Sequence, residues 1–249
     1  MEEFFSLLNS AVVFKFLLLF ARVASFVAFM PVFGHAAISV TIRVAFAFYL
    51  VIFLFPFVGE FEYIDETNFI LALLTEISLG FIAAMLFNVM FSAVRIIGEF
   101  VGYATALSMA MMFDPATGSQ EGLVSKLLFW IALMVFFQAG LYESTLVMLA
   151  KSFSMVHLGA FNIFSFNGIE IAISEISRMF AFAFIFAFPL FFIGFIMDVY
   201  YGYGTKSMPA FSPFIITFQL KFALIFIFLI FGLEVLNEAF VNYFIDKFE

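Results

Sequence analysis

The sequence predicts an all-α fold: a polytopic membrane protein with about six hydrophobic helices in hairpins and one re-entrant or plug-like loop. Of its 249 residues, 66% are apolar and 11% are charged, and the mean hydropathy is +1.20. Soluble domains contain about 25% charged residues, so a water-exposed surface could not cover this much apolar sequence. Long apolar runs separated by short polar segments indicate several membrane crossings.

Six apolar runs account for the predicted helices. They cover residues 11–33, 44–58, 69–91, 127–149, 179–197 and 214–236. Most are close to or longer than the ~18 residues that suggest a bilayer span. The runs lack the alternation of a barrel strand, and a helix satisfies its own backbone hydrogen bonds in lipid. Each run is therefore predicted to be a helix.

An interruption follows the third run. Residues 68–113 are too long for one span, and Arg95 and Glu99 mark an expected break. The remaining piece, 98–113, is too short to cross alone, so we expect it to be re-entrant or buried in protein. It leads into SMAMMFDPATGSQEG, residues 108–122, whose non-helical backbone would be tolerated at membrane depth only inside protein or along a cavity. An ordinary loop in water is the alternative.

Several ionisable residues lie inside or near the edges of apolar runs: Arg22, Glu76, Glu143, Lys221 and Glu234. Such a group costs at least a few kcal/mol in lipid, so it usually faces protein or water. Each could belong to a proton or substrate path. Ion pairs between helices, or side chains that extend to the interface, are the preferred interpretation for each residue taken singly.

Composition and motifs argue against several classes of function. There is no cysteine and the net charge is -8, which argues against thiol chemistry and against nucleic acid as a partner. His35 and His157 stand alone, outside any metal-ligand spacing. No phosphate loop or nucleophile elbow occurs. The sequence therefore predicts no enzyme, no cofactor and no metal site.

Two blocks in the first half of the chain carry a family resemblance. Near the N-terminus, Arg22 is followed by Met-Pro-Val-Phe-Gly at 30–34 and by Ile42-Arg43. The central block contains, in order, Glu76, Gly80, Ala93, Gly98-Glu99, Gly102, Met109 and Asp114-Pro115. In order and spacing, these residues resemble the flagellar biosynthetic protein FliR family and its counterpart in virulence secretion, SctT. The resemblance extends over nearly the whole chain.

The second half resembles the family with departures. Ser152-Phe153 and Gly159 match, but His157 stands where the family usually has proline. The stretch KSMPAFSPFIITFQLK keeps the family residues Lys206, Pro209, Phe214, Phe218, Leu220 and Lys221. It departs at Ala210, Ser212, Thr217 and Gln219, where the family tends to have Gln, Asn, Gly and Pro. The departures weaken any specific role for that loop.

The resemblance implies a subunit of a type III secretion export gate in the bacterial cytoplasmic (inner) membrane, at the flagellar basal body. FliP-like and FliQ-like subunits would assemble with it, and FlhB-like and FlhA-like export proteins would belong to the same apparatus. Unfolded flagellar proteins would pass through the gate. The chain, 1–249, would form a single membrane-embedded export-gate domain. Part of the family's assembly stands above the bilayer plane, so six can overstate the number of helices that cross lipid.

The resemblance also implies roles for residues. Segment 108–122 corresponds to the family's pore-closing plug, with Met109, Met111, Met112, Phe113, Asp114, Pro115 and Gly118 as its candidate residues. Methionine is unbranched and adaptable, so it suits a seal that must repack. A second set is expected to serve packing and assembly through buried charges and the close helix approach that a GxxxG spacing permits: Arg22, Glu76, Gly98, Glu99, Gly102 and Lys221.

Two other classes of function compete with the export gate. A secondary transporter or permease would use buried charges for substrate or proton coupling and would show internal repeats with paired broken helices. An intramembrane enzyme would need a nucleophile with a base, or a metal set. The sequence contains one interruption without a convincing second copy, so the export gate is the preferred hypothesis.

Overall fold

The structure, a computed structural model, describes residues 10–34, 38–59, 66–105, 107, 122–162, 166–207 and 214–248. These residues form seven helices: α1 Ser10–Phe29, α2 Val40–Leu54, α3 Glu66–Ala104, α4 Leu123–Gln138, α5 Leu141–Met155, α6 Gly168–Ser207 and α7 Phe214–Phe248. The predicted helical membrane fold is confirmed.

Four described helices contain apolar stretches long enough to cross a membrane: Val12–Phe29, Asn68–Ala104, Gly168–Ser207 and Gln219–Asp246. Helices α4 and α5 add a fifth if the two together form one broken span. Helix α2 has 15 residues and rises only about 22 Å, less than the ~30 Å hydrocarbon core. The predicted crossing at 44–58 is therefore wrong, because the helix gives way to a turn around Pro56.

The predicted helix over 127–149 is interrupted in its middle. Helix α4 ends at Gln138 and α5 begins at Leu141. Between them Gly140 adopts φ +71°, a left-handed conformation that favours glycine. The Ala139 amide donates to the carbonyl of Val135 at 2.8 Å, and the Gly140 amide donates to that of Phe137 at 3.2 Å, which is how many helices end.

The predicted break at Arg95 and Glu99 is wrong, since α3 continues through both residues to Ala104. Both charged groups have partners within the protein. The Arg95 guanidinium lies 4.3 Å from the centre of the Phe129 ring, and the Glu99 carboxylate accepts a hydrogen bond from the Gly122 amide at 2.9 Å. A charged side chain with such partners does not require the helix to end.

Two compact units make up the chain. The first contains Met1–Val89 and Tyr142–Ile173, and the second contains Met90–Leu141 and Ser174–Glu249. The prediction of a single domain over 1–249 stays a prediction. In the first unit, the buried core includes Leu19, Val23 and Val51.

Aromatic packing dominates the core of the second unit. The buried ring of Phe91 has its centre 5.5–5.8 Å from those of Phe129, Phe136 and Phe240. The tilted and edge-to-face geometry is the one that aromatic pairs prefer. These contacts join α3, α4 and α7, and they fix the helices on which the polar residues of this unit lie.

Candidate functional site

A buried ion pair links α1 to α3 in the first unit. The Arg22 Nε donates to Glu76 Oε2 at 2.5 Å, and Arg22 Nη2 donates to Glu76 Oε1 at 3.0 Å. Both side chains have 0% solvent exposure. Two parallel bonds between a guanidinium and a carboxylate match the geometry of both groups, and such charge-assisted bonds are stronger than neutral ones.

Gly80 allows α1 and α3 to approach closely enough for this pair. It follows Glu76 by one helical turn, so the two residues share a face of α3. A Cβ atom at Gly80 would lie 2.0 Å from Ser25 Oγ and 2.3 Å from the carbonyl oxygen of Arg22. Only a residue without a side chain fits there, and small residues serve this purpose in membrane helix packing.

The guanidinium of Arg22 also binds the C-terminal end of α5. Arg22 Nη1 donates to the Ser152 carbonyl at 3.1 Å, and Nη2 donates to the Val156 carbonyl at 3.0 Å. The Phe153 ring centre lies 4.5 Å from the guanidinium carbon. The Ser152 carbonyl also accepts from the Val156 amide at 2.9 Å, and because the carbonyls at a helix C-terminus carry partial negative charge, a cation is favourable at this position.

Gly159 completes the coordination of Glu76. Its amide donates to Glu76 Oε1 at 2.8 Å, and it adopts φ +78°, which strongly favours glycine. We call Arg22, Glu76, Ser152, Val156 and Gly159 the Arg22 cluster. It connects α1, α3 and the segment that follows α5, and neither charge contacts solvent.

The chemistry of the Arg22 cluster favours a structural role. Arginine is not deprotonated in proteins, and the Arg22 donors are occupied by a carboxylate and two carbonyl groups. Glu76 accepts from Arg22 and from the Gly159 amide. A pair satisfied in this way can join three segments inside an apolar environment.

The second unit contains a close contact between α3 and α4. A Cβ at Gly98 would lie 2.3 Å from Ser125 Cα and 2.6 Å from Ser125 N, so the two backbones touch. The Ser125 hydroxyl donates to the Arg95 carbonyl at 3.0 Å. Glu99 accepts from the amide of Gly122, the residue that precedes α4 and has no side chain to cap it. An acidic group near a helix N-terminus is favourable.

A second ion pair joins α6 to α7. Lys221 Nζ lies 2.8 Å from Asp198 Oδ1 and 2.7 Å from Oδ2. Only 11% of the lysine side chain is exposed, against 63% of the aspartate side chain. The stem of Lys221 packs near Gly194, where an added Cβ would lie 3.2 Å from Lys221 Cε.

The structure places the remaining predicted residues in several environments. Gly102 has no atom of the described residues within 4 Å of an added Cβ, so of the two glycines only Gly98 makes the close contact. Glu143 is exposed and accepts a hydrogen bond from its neighbour Tyr142 at 2.8 Å. Glu234 is exposed on α7. The plug candidates lie outside the described residues: Met109, Met111, Met112, Phe113, Asp114, Pro115 and Gly118.

Sequence reasoning missed two kinds of partner. Asp198, the partner of Lys221, follows directly after the predicted apolar run 179–197, and an acid at that position could have been paired with a base near the start of the next run. The Ser152 and Val156 carbonyls that bind Arg22 are backbone atoms, which leave no signal in the sequence.

Comparisons with a family model and with individual proteins agree on one family. Residues 13–246 match the family described as bacterial export proteins, family 1. A relative named flagellar biosynthetic protein FliR from Bacillus subtilis is 27% identical over 232 residues, which cover 92% of this chain and 90% of the relative. The protein of the same name from Aquifex aeolicus is 27% identical, with 94% and 90% covered. A third, from Caulobacter vibrioides, is 24% identical, with 82% of each chain covered.

Proposed function

Because the chain belongs to the FliR family of bacterial export proteins, we propose that it is a subunit of the flagellar protein export gate. Its long apolar helices make it a multi-pass protein of the bacterial inner membrane. In this proposal it helps to form and close the channel through which unfolded flagellar proteins leave the cell. The observation that carries the proposal is the family match over nearly the whole chain.

The geometry of α3 and α4 supports the closing role. Gly98 and Glu99 near the end of α3 contact Ser125 and Gly122 at the start of α4. These contacts hold the start of α4 against α3 a few residues before α3 ends at Ala104, and the plug candidates belong to the segment that connects the two helices. A gate for unfolded chains must seal against ions and then admit side chains of every size. Methionine and phenylalanine between two fixed helix ends suit that requirement.

The partners in this proposal are FliP-like and FliQ-like subunits, with FlhB-like and FlhA-like proteins in the same apparatus. The whole chain, 1–249, would serve as one export-gate module at the flagellar basal body. Large apolar side chains are exposed along α6, including Ile185, Phe188 and Tyr203. Lipid or partner helices must cover such a surface, so we expect the chain to be stable only with its partners.

Co-purification tests the assembly. A tagged chain expressed with FliP-like and FliQ-like partners should yield a stoichiometric complex from detergent-solubilised membranes. Expressed alone, it should aggregate or be degraded. A monodisperse monomer that binds these partners no better than it binds unrelated membrane proteins would contradict the assignment. Coupled uptake of a small solute by such a monomer would favour the transporter alternative.

Deleting residues 110–117 tests the closing role. The complex should assemble at normal yield and the membrane should leak small ions or osmolytes. As a matched control, Met109, Met111 and Met112 are replaced by leucine, which keeps apolar volume in the segment, so leakage should rise far less. Normal assembly without added leakage, in a complex whose channel is otherwise open, would rule out the plug. Loss of assembly would assign the segment to packing.

A further inference from the structure

The C-terminal end of α3 is buried within the second unit. Ala104, the last residue of the helix, is 5% exposed, and Thr105, which follows it, is 1% exposed. The Thr105 hydroxyl donates to the Val101 carbonyl at 2.8 Å, and the Thr105 amide donates to the same carbonyl at 2.9 Å. The protein therefore encloses the helix end from which the segment with the plug candidates departs.

Gly194 on α6 provides the surface against which α3 ends. It is buried, and an added Cβ would lie 3.2 Å from Ala104 Cβ and 3.4 Å from the Ala104 carbonyl oxygen. One turn earlier on α3, the Phe100 ring centre lies 5.2 Å from that of Phe184 and 6.3 Å from that of Phe191, both on α6. The last turns of α3 thus pack along α6.

Lys221 brings α7 to the same point. Its Cε would lie 3.2 Å from the added Cβ at Gly194, and its Nζ binds both carboxylate oxygens of Asp198, at 2.8 and 2.7 Å. Asp198 follows Gly194 by one helical turn, so the two residues share a face of α6. We call Ala104, Gly194, Asp198 and Lys221 the α3 junction. In this junction one side chain of α7 crosses the part of α6 on which α3 ends.

The charges of the α3 junction suit a contact that can be released. Lys221 Cε and the Ala104 carbonyl oxygen lie 3.2 and 3.4 Å from the same point, so the ammonium group is near the C-terminal end of α3, whose partial negative charge favours a cation. The Lys221 side chain is 11% exposed and that of Asp198 is 63% exposed. Because water can reach the carboxylate, separating this pair costs much less than separating a fully buried one.

We propose that Lys221 is a positioning residue for the closed gate: bound to Asp198, it holds the end of α3 against α6 and thereby keeps segment 106–121 in place to seal the channel. The start of α4 is held separately, by its backbone contact with Gly98. Holding both ends of a chain segment restricts the conformations that it can adopt, so release of one end should loosen the seal without unfolding the unit. The proposal rests on the closing role proposed above, and it names the residues that hold one end of the segment.

Leakage through the assembled complex tests this role. K221M keeps the apolar stem against Gly194 and removes the ammonium group. The complex should assemble at wild-type yield, and its leak of small ions should rise about two- to fivefold, the population change that loss of one partly exposed ion pair can produce. D198E keeps a carboxylate at an exposed position and should leak no more than the wild type. K151M removes an exposed lysine of α5, outside the junction, and should leave the leak unchanged.

Thiol labelling reports the position of the α3 end. The chain has no cysteine, so T105C introduces a single buried thiol in place of a side chain of similar size. In K221M, a membrane-permeant maleimide should label T105C faster by the same factor as the leak rises, because both rates follow the population of the released state. S125C, at the start of α4 and just as buried, is the matched control and should stay protected.

The outcomes separate this proposal from the closing role. If the complex that lacks residues 110–117 assembles and does not leak, the closing role itself is wrong. If that complex leaks but K221M does not, the closing role stands and Lys221 has been assigned wrongly. A leak in K221M without faster labelling of T105C would also overturn the proposal. If K221M fails to assemble, or if S125C becomes labelled as readily as T105C, Lys221 stabilises the whole unit and does not position α3.

Discussion

Two ion pairs between helices, Arg22–Glu76 and Lys221–Asp198, lie in opposite surroundings. In the first unit, Arg22 and Glu76 are fully buried and bind through two parallel hydrogen bonds. In the second, Lys221 is mostly buried but its partner Asp198 is 63% exposed. Arg22 lies near the middle of the apolar stretch Val12–Phe29, whereas Lys221 lies near the start of the stretch Gln219–Asp246. Removing either partner of the first pair would leave an unpaired buried charge. In the second pair, the exposed Asp198 can bind water in place of Lys221.

The difference shows what a buried charge needs. Arginine has five donors in a rigid fork, and Arg22 divides them between a carboxylate and two helix-end carbonyls. Lysine is a flexible point charge, and the stem of Lys221 packs while its ammonium group meets an exposed acid. A deeply placed pair therefore requires backbone partners as well as the opposite charge, because each unsatisfied group would be costly.

The largest expected effect comes from breaking the first pair from one side. R22M should leave Glu76 as a buried carboxylate without its cation, at a cost of about 3–5 kcal/mol. E76Q should also destabilise, but less, since its amide oxygen can still accept. The yield and thermal midpoint of the purified complex measure both. A variant that assembles at normal yield but exports nothing would assign the pair to transport.

The double variant R22M/E76M sharpens the first prediction. Removing both charges eliminates the unpaired carboxylate, and an apolar pair of similar volume is often neutral or stabilising. We expect the double variant to have a higher thermal midpoint than R22M, because both variants lose the Arg22 bonds to the Ser152 and Val156 carbonyls but only R22M leaves a buried carboxylate unpaired. If the double variant is as unstable as R22M, those backbone bonds contribute more than the unpaired charge.

The sequence predicted the two charged members of the Arg22 cluster but not their backbone partners or their arrangement. Arg22 and Glu76 are conspicuous as charges in apolar runs. Their pairing over a separation of 54 residues depends on helix rotation and on the close approach at Gly80, which no local pattern specifies. The long α3 was missed because Arg95 and Glu99 suggest a break when their partners, Phe129 on α4 and Gly122 just before it, are unknown. The helix end at Gly140 was missed because the apolar run continues on both sides of it.

Each unit contains a glycine in close contact with the backbone of another helix. Alanine at either glycine should lower stability by a similar amount, so these variants measure the effect of packing without changing a charge. G80A places a methyl group against the Arg22 carbonyl, and G98A places one against Ser125 Cα. Each contact is with backbone, so each substitution should cost about 1–3 kcal/mol through overpacking. The thermal midpoint of the complex measures the loss.

Gly102 provides the matched control for these variants. It lies one turn from Gly98 on the same helix, and no described atom lies within 4 Å of an added Cβ. G102A should leave stability unchanged or raise it by up to about 1 kcal/mol, because alanine is the better helix former. If G102A destabilises as much as G98A, the local contact with Ser125 does not explain the loss.

A smaller effect is expected at the second ion pair. K221M keeps the apolar stem near Gly194 and removes only the ammonium group. Because Asp198 is largely exposed, it can hydrate when its partner is lost, and the cost should not exceed about 1 kcal/mol. D198N should cost more than K221M, because it leaves the mostly buried ammonium group of Lys221 without its carboxylate. A loss from K221M as large as that from R22M would show that exposure within the isolated chain does not describe this pair in the assembled complex.

The smallest effect is expected at Glu99, where the charge can be separated from the hydrogen bond. E99Q keeps an oxygen that can accept from the Gly122 amide, and it loses only the attraction between a carboxylate and the N-terminus of α4. That attraction is worth about 0.3–1 kcal/mol and weakens with salt. The thermal midpoint of E99Q should therefore approach that of the wild type as salt rises. E99L removes the acceptor as well, so its deficit should persist at high salt. If E99Q were as damaging as R22M, the rule drawn from the two pairs would fail, because a half-buried carboxylate with one backbone partner would then be as costly to neutralise as a fully buried pair.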